Sequence, residues 1–284
     1  MFEYQQIAST LSPDDSRNCV MWITSDRVFY CGLLGVPSVR TFGAITLYAA
    51  LAGPVRVCLA GGQWQATDLA VVPPHVPHRV ACDARLVCVN LIEPETVDPQ
   101  QLPRFLQQTG PVQAPGFLAN MRRRHAWLRD NACDIDMATL DYDKVFFGQA
   151  LVPRRLDPRI AAIIAQISEN PSMPAMAGDC AASVRLSFSR FLHLFKEQTG
   201  APFRSMRTWK RARSLLHYVN RPSNLTAVAL ETGYPDATHF SHSIRQVYGL
   251  KPKDIFAGSR RLVLLGKPDG MRQRNSPASA LKTA

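Results

Sequence analysis

Hydrophobic positions change their period along this chain. Between residues 20 and 92, β-branched and aromatic residues come in short stretches, broken by Gly35 and Pro37, Gly53 and Pro54, Gly61 and Gly62, and Pro73 to Pro77. Short apolar stretches with frequent turn residues predict the strands of a small β-barrel or sandwich. The pattern then turns helical. Residues 103–108 and 116–130 predict helices, the second with Met121, His125 and Leu128 on one face. Such a stripe needs a partner surface, either the barrel or a second subunit. The sequence VPRRLDP at 152–158 reads as a linker. After it, Ile160, Ile163, Ile164 and Ile167 have the spacing of an amphipathic helix, and helical segments alternate with turns to about Phe256. The fold class is therefore α+β. The first domain is expected over 1–153, β-rich to about 95 and helical to about 150, and the linker over 154–158. An all-helical domain is expected over 159–262, and a disordered tail without apolar periodicity over 263–284.

An internal repeat lies inside the helical half. Phe191, Phe195, Lys196 and Gly200 recur as Phe240, Ile244, Arg245 and Gly249, each 49 positions later. Each copy starts on a polar residue suited to cap a helix, Ser187 or Asp236, and ends on glycine. Upstream of each is a segment containing alanine, at 175–182 and 227–231, where a small residue lets a preceding helix cross closely. Helix, tight turn and second helix make a helix-turn-helix unit, whose second helix enters the major groove. Two units in one chain suit two successive grooves, about 34 Å apart.

Charge divides the chain at the same place. Of 33 Lys+Arg and 22 Asp+Glu, residues from 156 onward hold 19 and 8, so residues 1–155 are neutral with 14 of each. The whole excess of +11 lies in the second half, where a polyanion would be met; a merely solvated basic surface is the other reading. The 15 uncharged positions between Arg40 and Arg56 contain Gly53 and Pro54, and the run is shorter than the ~18 of a membrane span. Glu3, Asp14 and Asp15 precede the first basic residue, Arg17, the opposite of a targeting signal, so a cytoplasmic protein is expected. The 7 cysteines, with no CxxC pair, fit neither a disulfide framework nor a zinc ribbon and read as reduced core residues, with a redox-sensing thiol as the sharper alternative.

The stretch LSFSRFLHLFKEQTG at 186–200 and the stretch TGYPDATHFSHSIRQVYGLKPKDIF at 232–256 resemble the paired helix-turn-helix signature of AraC/XylS-type transcriptional regulators. The resemblance implies a domain of two helix-turn-helix units joined by a linking helix, and double-stranded DNA as partner. It also implies RNA polymerase as a further partner, activation of transcription, a homodimer and a small-molecule effector. The chain departs from that pattern at Arg185, where the turn commonly has a small residue, at Gly178, at Ile244 and at His242. The segment from Gly200 to Ala212 is also shorter than usual. With Phe191, Leu194 and Phe195 buried, Ser187, Ser189, Arg190, Leu192, His193 and Lys196 form the DNA-facing set of the first unit. Asp236, Ala237, Thr238, Ser241, His242 and Arg245 form that of the second. Arg190 and Arg245 can clamp guanine or hold phosphate, and specificity can lean on DNA shape. Arg204, Arg207, Lys210, Arg211 and Arg213 lie on or before the linking helix, as a solvated face or as backbone contacts.

The segment DLAVVPPHVPHRV at 68–80 resembles the cupin-like sensor domains that precede such readers, which implies a β-barrel. Trp22, Tyr30, Arg40, Trp64 and His78 are candidate walls of an effector pocket, against plain core or surface roles in a domain that only dimerises. His75 and His78 are the only histidines before His125, so a catalytic metal centre is not expected. His193, His239 and His242 lack partner cysteines at ligand spacing. No catalytic residue, cofactor or metal is assigned. A cupin-type metalloenzyme with a nucleic-acid-binding appendage and a nonspecific DNA binder are the rival readings.

Overall fold

Strands come first in the chain, and most of them are buried on both faces. A computed structural model describes residues 19–84, 86–131, 136–173, 176–220, 224–259 and 262–265. The strands are β1 (Val20–Ile23), β2 (Arg27–Leu33), β3 (Ile45–Ala50), β4 (Val55–Leu59), β5 (Gln65–Thr67), β6 (Leu69–Val72), β7 (His78–Cys82), β8 (Leu86–Ile92) and β9 (Gly110–Pro111). Helices α1 (Pro115–Asp130) and α2 (Tyr142–Phe147) follow. The helical half holds α3 (Pro158–Glu169), α4 (Ala177–Ser183), α5 (Phe188–Thr199), α6 (Phe203–Ser214), α7 (Leu225–Glu231), α8 (Ala237–Tyr248) and α9 (Pro252–Gly258), and β10 (Val263–Leu265) ends the described chain.

One sheet has the order β10-β1-β2-β8-β3-β6-β9 and faces a three-stranded sheet ordered β5-β4-β7. Side chains alternate between two cores with the period of two that a strand imposes. On β2, Val28 points into the core that contains Val55, Val57 and Val80 of the small sheet. Phe29 and Cys31 point the other way, into a core closed by Leu118, Met121 and Leu128 of α1 and by Tyr142 and Phe146 of α2. Burial on both faces explains why the strands read as near-continuous apolar runs. The stripe on α1 thus finds its partner in the sheet of its own chain.

Val263–Leu265, expected in the irregular tail, forms β10 and pairs in parallel with Val20, Met21 and Trp22 of β1. The rest of the expected tail, 266–284, lies outside the described residues. Residues 103–108 hold only a 3-10 turn, Arg104–Gln107, because six residues supply too few hydrogen bonds and apolar contacts for a longer helix. Helix α3 begins at Pro158 within the expected linker, capped by the Asp157 carboxylate, which accepts from the Arg159 amide at 2.9 Å. Its four isoleucines are all buried as their spacing requires. Among the described residues, no helix is long and apolar enough to cross a membrane.

Candidate nucleic-acid interface

Both repeats fold as helix, turn and helix. In the first, α4 precedes α5, and the Ser187 hydroxyl accepts from the Arg190 amide at 3.3 Å. In the second, α7 precedes α8, and the Asp236 carboxylate accepts from the Thr238 and His239 amides, each at 2.8 Å. Each second helix ends on a glycine with positive φ, Gly200 at 77° and Gly249 at 71°, which closes the last turn in the left-handed region. The turns between the helices are also homologous. The Leu186 amide donates to the Ala181 carbonyl and the Tyr234 amide to the Ala229 carbonyl, both at 2.9 Å. One residue before each of these the backbone turns left-handed, at Arg185 with φ 55° and at Gly233 with φ 79°.

The buried stripe of α5 is Phe191, Leu194, Phe195 and Thr199, and that of α8 is Phe240, Ile244, Val247 and Tyr248. The opposite faces are open. Ser187, Ser189, Arg190, His193 and Lys196 are exposed and Leu192 is half-buried; Asp236, Ala237, Thr238, His242 and Arg245 are exposed and Ser241 is half-buried. Phe188, absent from the expected set, is 57% exposed on the first turn of α5. An aromatic side chain placed directly after a cap residue was the signal for it. Asp236 also holds the His239 ring, Nδ1 to Oδ2 2.7 Å. Backbone and side-chain hydrogen bonds from His239 keep its carboxyl below the usual range.

The basic run at 204–213 divides. Arg204 is exposed, while Arg207 and Arg211 are half-buried, with Arg207 donating to the Met173 carbonyl at 2.8 Å and Arg211 lying over the Tyr234 ring. Lys210 and Arg213 are buried and turn away from any outer surface. Neither reading of this run, solvated face or backbone contact, holds for these two, because they meet carboxylates delivered by the end of β8. Lys210 Nζ pairs with Glu93 Oε2 and, at 2.7 Å, with Glu95 Oε1. Arg213 Nε lies 3.1 Å from Glu93 Oε1, to which the Trp209 indole donates at 3.2 Å. Arg213 also donates to the Thr24 and Arg27 carbonyls of the β-rich half, at 2.6 and 3.1 Å. Burial by itself would raise both carboxyls. The Lys210 and Arg213 cations hold Glu93 low, whereas burial and the Glu93 charge leave Glu95 high. Sequence reasoning did not identify this cluster; its one trace was a pair of acids, Glu93 and Glu95, directly after an apolar strand.

The same seam is packed with aromatic side chains. Phe42 lies 5.8 Å from the Trp209 ring and 5.5 Å from that of Tyr248, and the Thr41 amide donates to the Val247 carbonyl at 2.9 Å. A Cβ on Gly43 would sit 2.4 Å from Trp209, so only glycine admits the indole there. The apolar core of the facing sheets runs on without a break through Trp209, Phe240, Ile244 and Val247.

The five expected pocket residues do not converge. Trp22 faces the helical layer, its ring 5.0 Å from that of Tyr142, and Trp64 is 44% exposed. Arg40, His78 and Tyr30 lie on the other side of the sheet. His78 Nε2 meets the Tyr48 hydroxyl at 2.7 Å, and the Arg40 backbone pairs with that of His78. Arg40 is 5% exposed, and its Nε and Nη2 find no hydrogen-bond partner. Burial, with the Arg40 charge adding to it, lowers His78 to about 4.

Comparison with known proteins places this geometry. A family described as "Helix-turn-helix domain" matches residues 180–258. The chain is 28% identical over 97 residues to the invasion protein InvF of Salmonella typhimurium, an alignment covering 34% of this chain and 43% of that protein. The chain therefore spans less than half of the length of the curated relatives it matches. Its fold resembles that of ToxT from Vibrio cholerae, as an apo point variant (TM-score 0.53, 12% identity, 83% of this chain and 98% of that one). It also resembles wild-type ToxT bound to an unsaturated fatty acid (TM-score 0.51, 9% identity, 83% and 96%). At these identities the likeness is one of fold.

Proposed function

We propose, from the match of residues 180–258 to a helix-turn-helix domain family and the resemblance of the two repeats to AraC/XylS-type regulators, that this chain is a sequence-specific, effector-responsive regulator of transcription. Helices α5 and α8 would read two adjacent major-groove segments of double-stranded DNA. The observation that carries this reading is the pair of capped helices, each buried along one apolar stripe and open along the face that bears Arg190 and His193 or His242 and Arg245. Lys196 and Arg245 suit phosphate. Phe188 suits the methyl group of thymine, an apolar contact available in the major groove. RNA polymerase and a second copy of the chain are the partners of this reading, and activation is its direction.

An effector acts through the β-rich half. A buried guanidinium without a carboxylate is costly, and Arg40 between the two sheets is such a group, so a carboxylate is the ligand class it would take. The wild-type ToxT structure that resembles this chain holds an unsaturated fatty acid. Ligand-dependent change would reach α6 through the cluster of Glu93 and Glu95 with Lys210 and Arg213. For this to work the ligand must favour one arrangement of that seam over another.

The test is a DNA titration of the full chain against a bound site selected from genomic DNA and against its scrambled form, with bulk DNA as competitor. Site preference that survives the competitor, and is reduced by His193→Ala or His242→Ala more on the selected site than on the scrambled one, supports reading by these helices. Equal losses on both sites remove base reading from the two histidines, and preference erased by bulk DNA leaves a nonspecific binder. A long-chain unsaturated fatty acid should shift the titration of the wild type and not that of Arg40→Gln.

A further inference from the structure

The second core of the β-rich half, between the large sheet and α1, contains a group of side chains that neither DNA reading nor the Arg40 site uses. Cys31 on β2 and Cys88 on β8 are direct partners across the antiparallel ladder. Both point into the core closed by α1, and both are fully buried. His125 on α1 is 5% exposed and reaches the same point from above. The two sulfurs and a ring nitrogen of His125 lie within 4.8 Å of one another. One turn back along α1, the Met121 thioether accepts from the Asn90 amide at 3.7 Å, within the same core.

We propose that Cys31, Cys88 and His125 form a buried binding site for a thiophilic d10 metal ion, zinc(II) or copper(I). The donors fit that class. Two thiolates and an imidazole are soft to borderline ligands, and such a set selects zinc or monovalent copper over hard cations that want oxygen. The two ions use the site differently. Zinc(II) with two thiolates and a neutral imidazole leaves no net charge in a dry core, and finds here three of the four ligands of a tetrahedral site. Copper(I) is content with three ligands. Each Cys that binds as thiolate releases its proton to solvent, so uptake is accompanied by proton release. Three elements far apart in sequence supply the ligands, and for this reason no motif announced them.

The experiment uses the full chain, reduced and anaerobic. Zinc(II) is titrated against a chromophoric zinc chelator and copper(I) against bicinchoninate, in the wild type, Cys88→Ala, His125→Leu and, as control, Cys180→Ala in the separate core of the reader. The expected result is one ion per chain, with X-ray absorption showing sulfur and nitrogen neighbours, unchanged in Cys180→Ala. In Cys88→Ala and His125→Leu the affinity should fall by more than the ~10–100-fold that loss of an outer-shell partner costs. The ion should also raise the unfolding temperature of the wild type and leave that of Cys88→Ala unmoved, which separates a lost site from a misfolded variant. Equal affinity in wild type and Cys88→Ala overturns the proposal. So does a reduced wild-type chain that takes up neither ion, or a Cys31–Cys88 disulfide recovered from the purified protein with no metal bound.

Discussion

The two helix-turn-helix units share a pattern of residues and differ in what they rest on. The first closes its own core, in which Phe191, Phe195, Phe203 and Met206 pack with Cys180 and the four isoleucines of α3. The second has no separate core, since Phe240, Ile244, Val247 and Tyr248 continue the apolar interior of the β-rich half. A repeat in sequence therefore fixes caps, turns and buried stripes, while the surface that covers each stripe is decided by the rest of the chain. The second unit is built onto the β-rich half along the buried stripe of α8, whereas the first meets that half where α5 approaches residues 94–96 and through α6, whose side chains enter both cores.

The largest effects should come from opening the two cores. Phe195→Ala and Ile244→Ala are each expected to cost about 2–5 kcal/mol, and hydrogen exchange tells them apart. Phe195→Ala should speed exchange in α3 to α5 and leave β3 and β4 protected, whereas Ile244→Ala should loosen both α8 and the sheets. If both variants disturb the same amides, the two cores are not separate.

Lys210→Ala leaves Glu95 buried without its cation and Glu93 with Arg213 alone, at a cost of about 3–5 kcal/mol in chemical denaturation. Replacing the buried pair together, by Lys210→Met with Glu95→Gln, keeps Glu93 with Arg213 and should recover most of that loss. A single substitution as mild as the double one would mean that the seam is already open in solution.

Acid should act on the β-rich half first. His78 is held at about 4 in the folded chain, against about 6.5 when unfolded. Between these values the unfolded chain binds a proton that the folded one does not, so stability falls as the pH drops from 6.5 to 4. The decline is at most about 1.4 kcal/mol per pH unit for this one group. A pH series of unfolding curves should show a shallower slope in His78→Gln, and α5 should keep its exchange protection where α8 loses it.

The smallest effect concerns the turns. Arg185 occupies the left-handed region at a cost of about 1–2 kcal/mol, which its counterpart Gly233 avoids. Arg185→Gly should raise the free energy of unfolding by up to about 1 kcal/mol, the relieved strain less the unfolded-chain entropy of glycine, while Gly233→Ala should lower it, because its Cβ would lie 2.3 Å from the Ser172 carbonyl oxygen.

What the chain reveals before folding is what depends on near neighbours. The isoleucines of α3, the caps Ser187 and Asp236, the closing glycines and the odd Arg185 were all legible, because spacing and backbone preference act over a turn or two. The open faces of α5 and α8 followed by rotation from the buried ones. Lys210 and Arg213 were misplaced because a basic residue on a helix looks the same whether it meets water or a carboxylate more than a hundred positions away. Trp22 was misplaced because a strand covered on both sides gives no alternation to say which side is the interior. Cys31 and Cys88 are joined by strand register alone, and composition holds no record of that.

The pairing of β10 with β1 has a consequence for how the protein is made. A ribosome releases the amino end first, and domains in general fold in that order. Here an outer row of the large sheet is supplied by residues 263–265, so the β-rich half is finished only after the helical half has been synthesised. A nascent chain stalled within the helical half would carry β1 with an open edge, the kind of unpaired strand that recruits other chains.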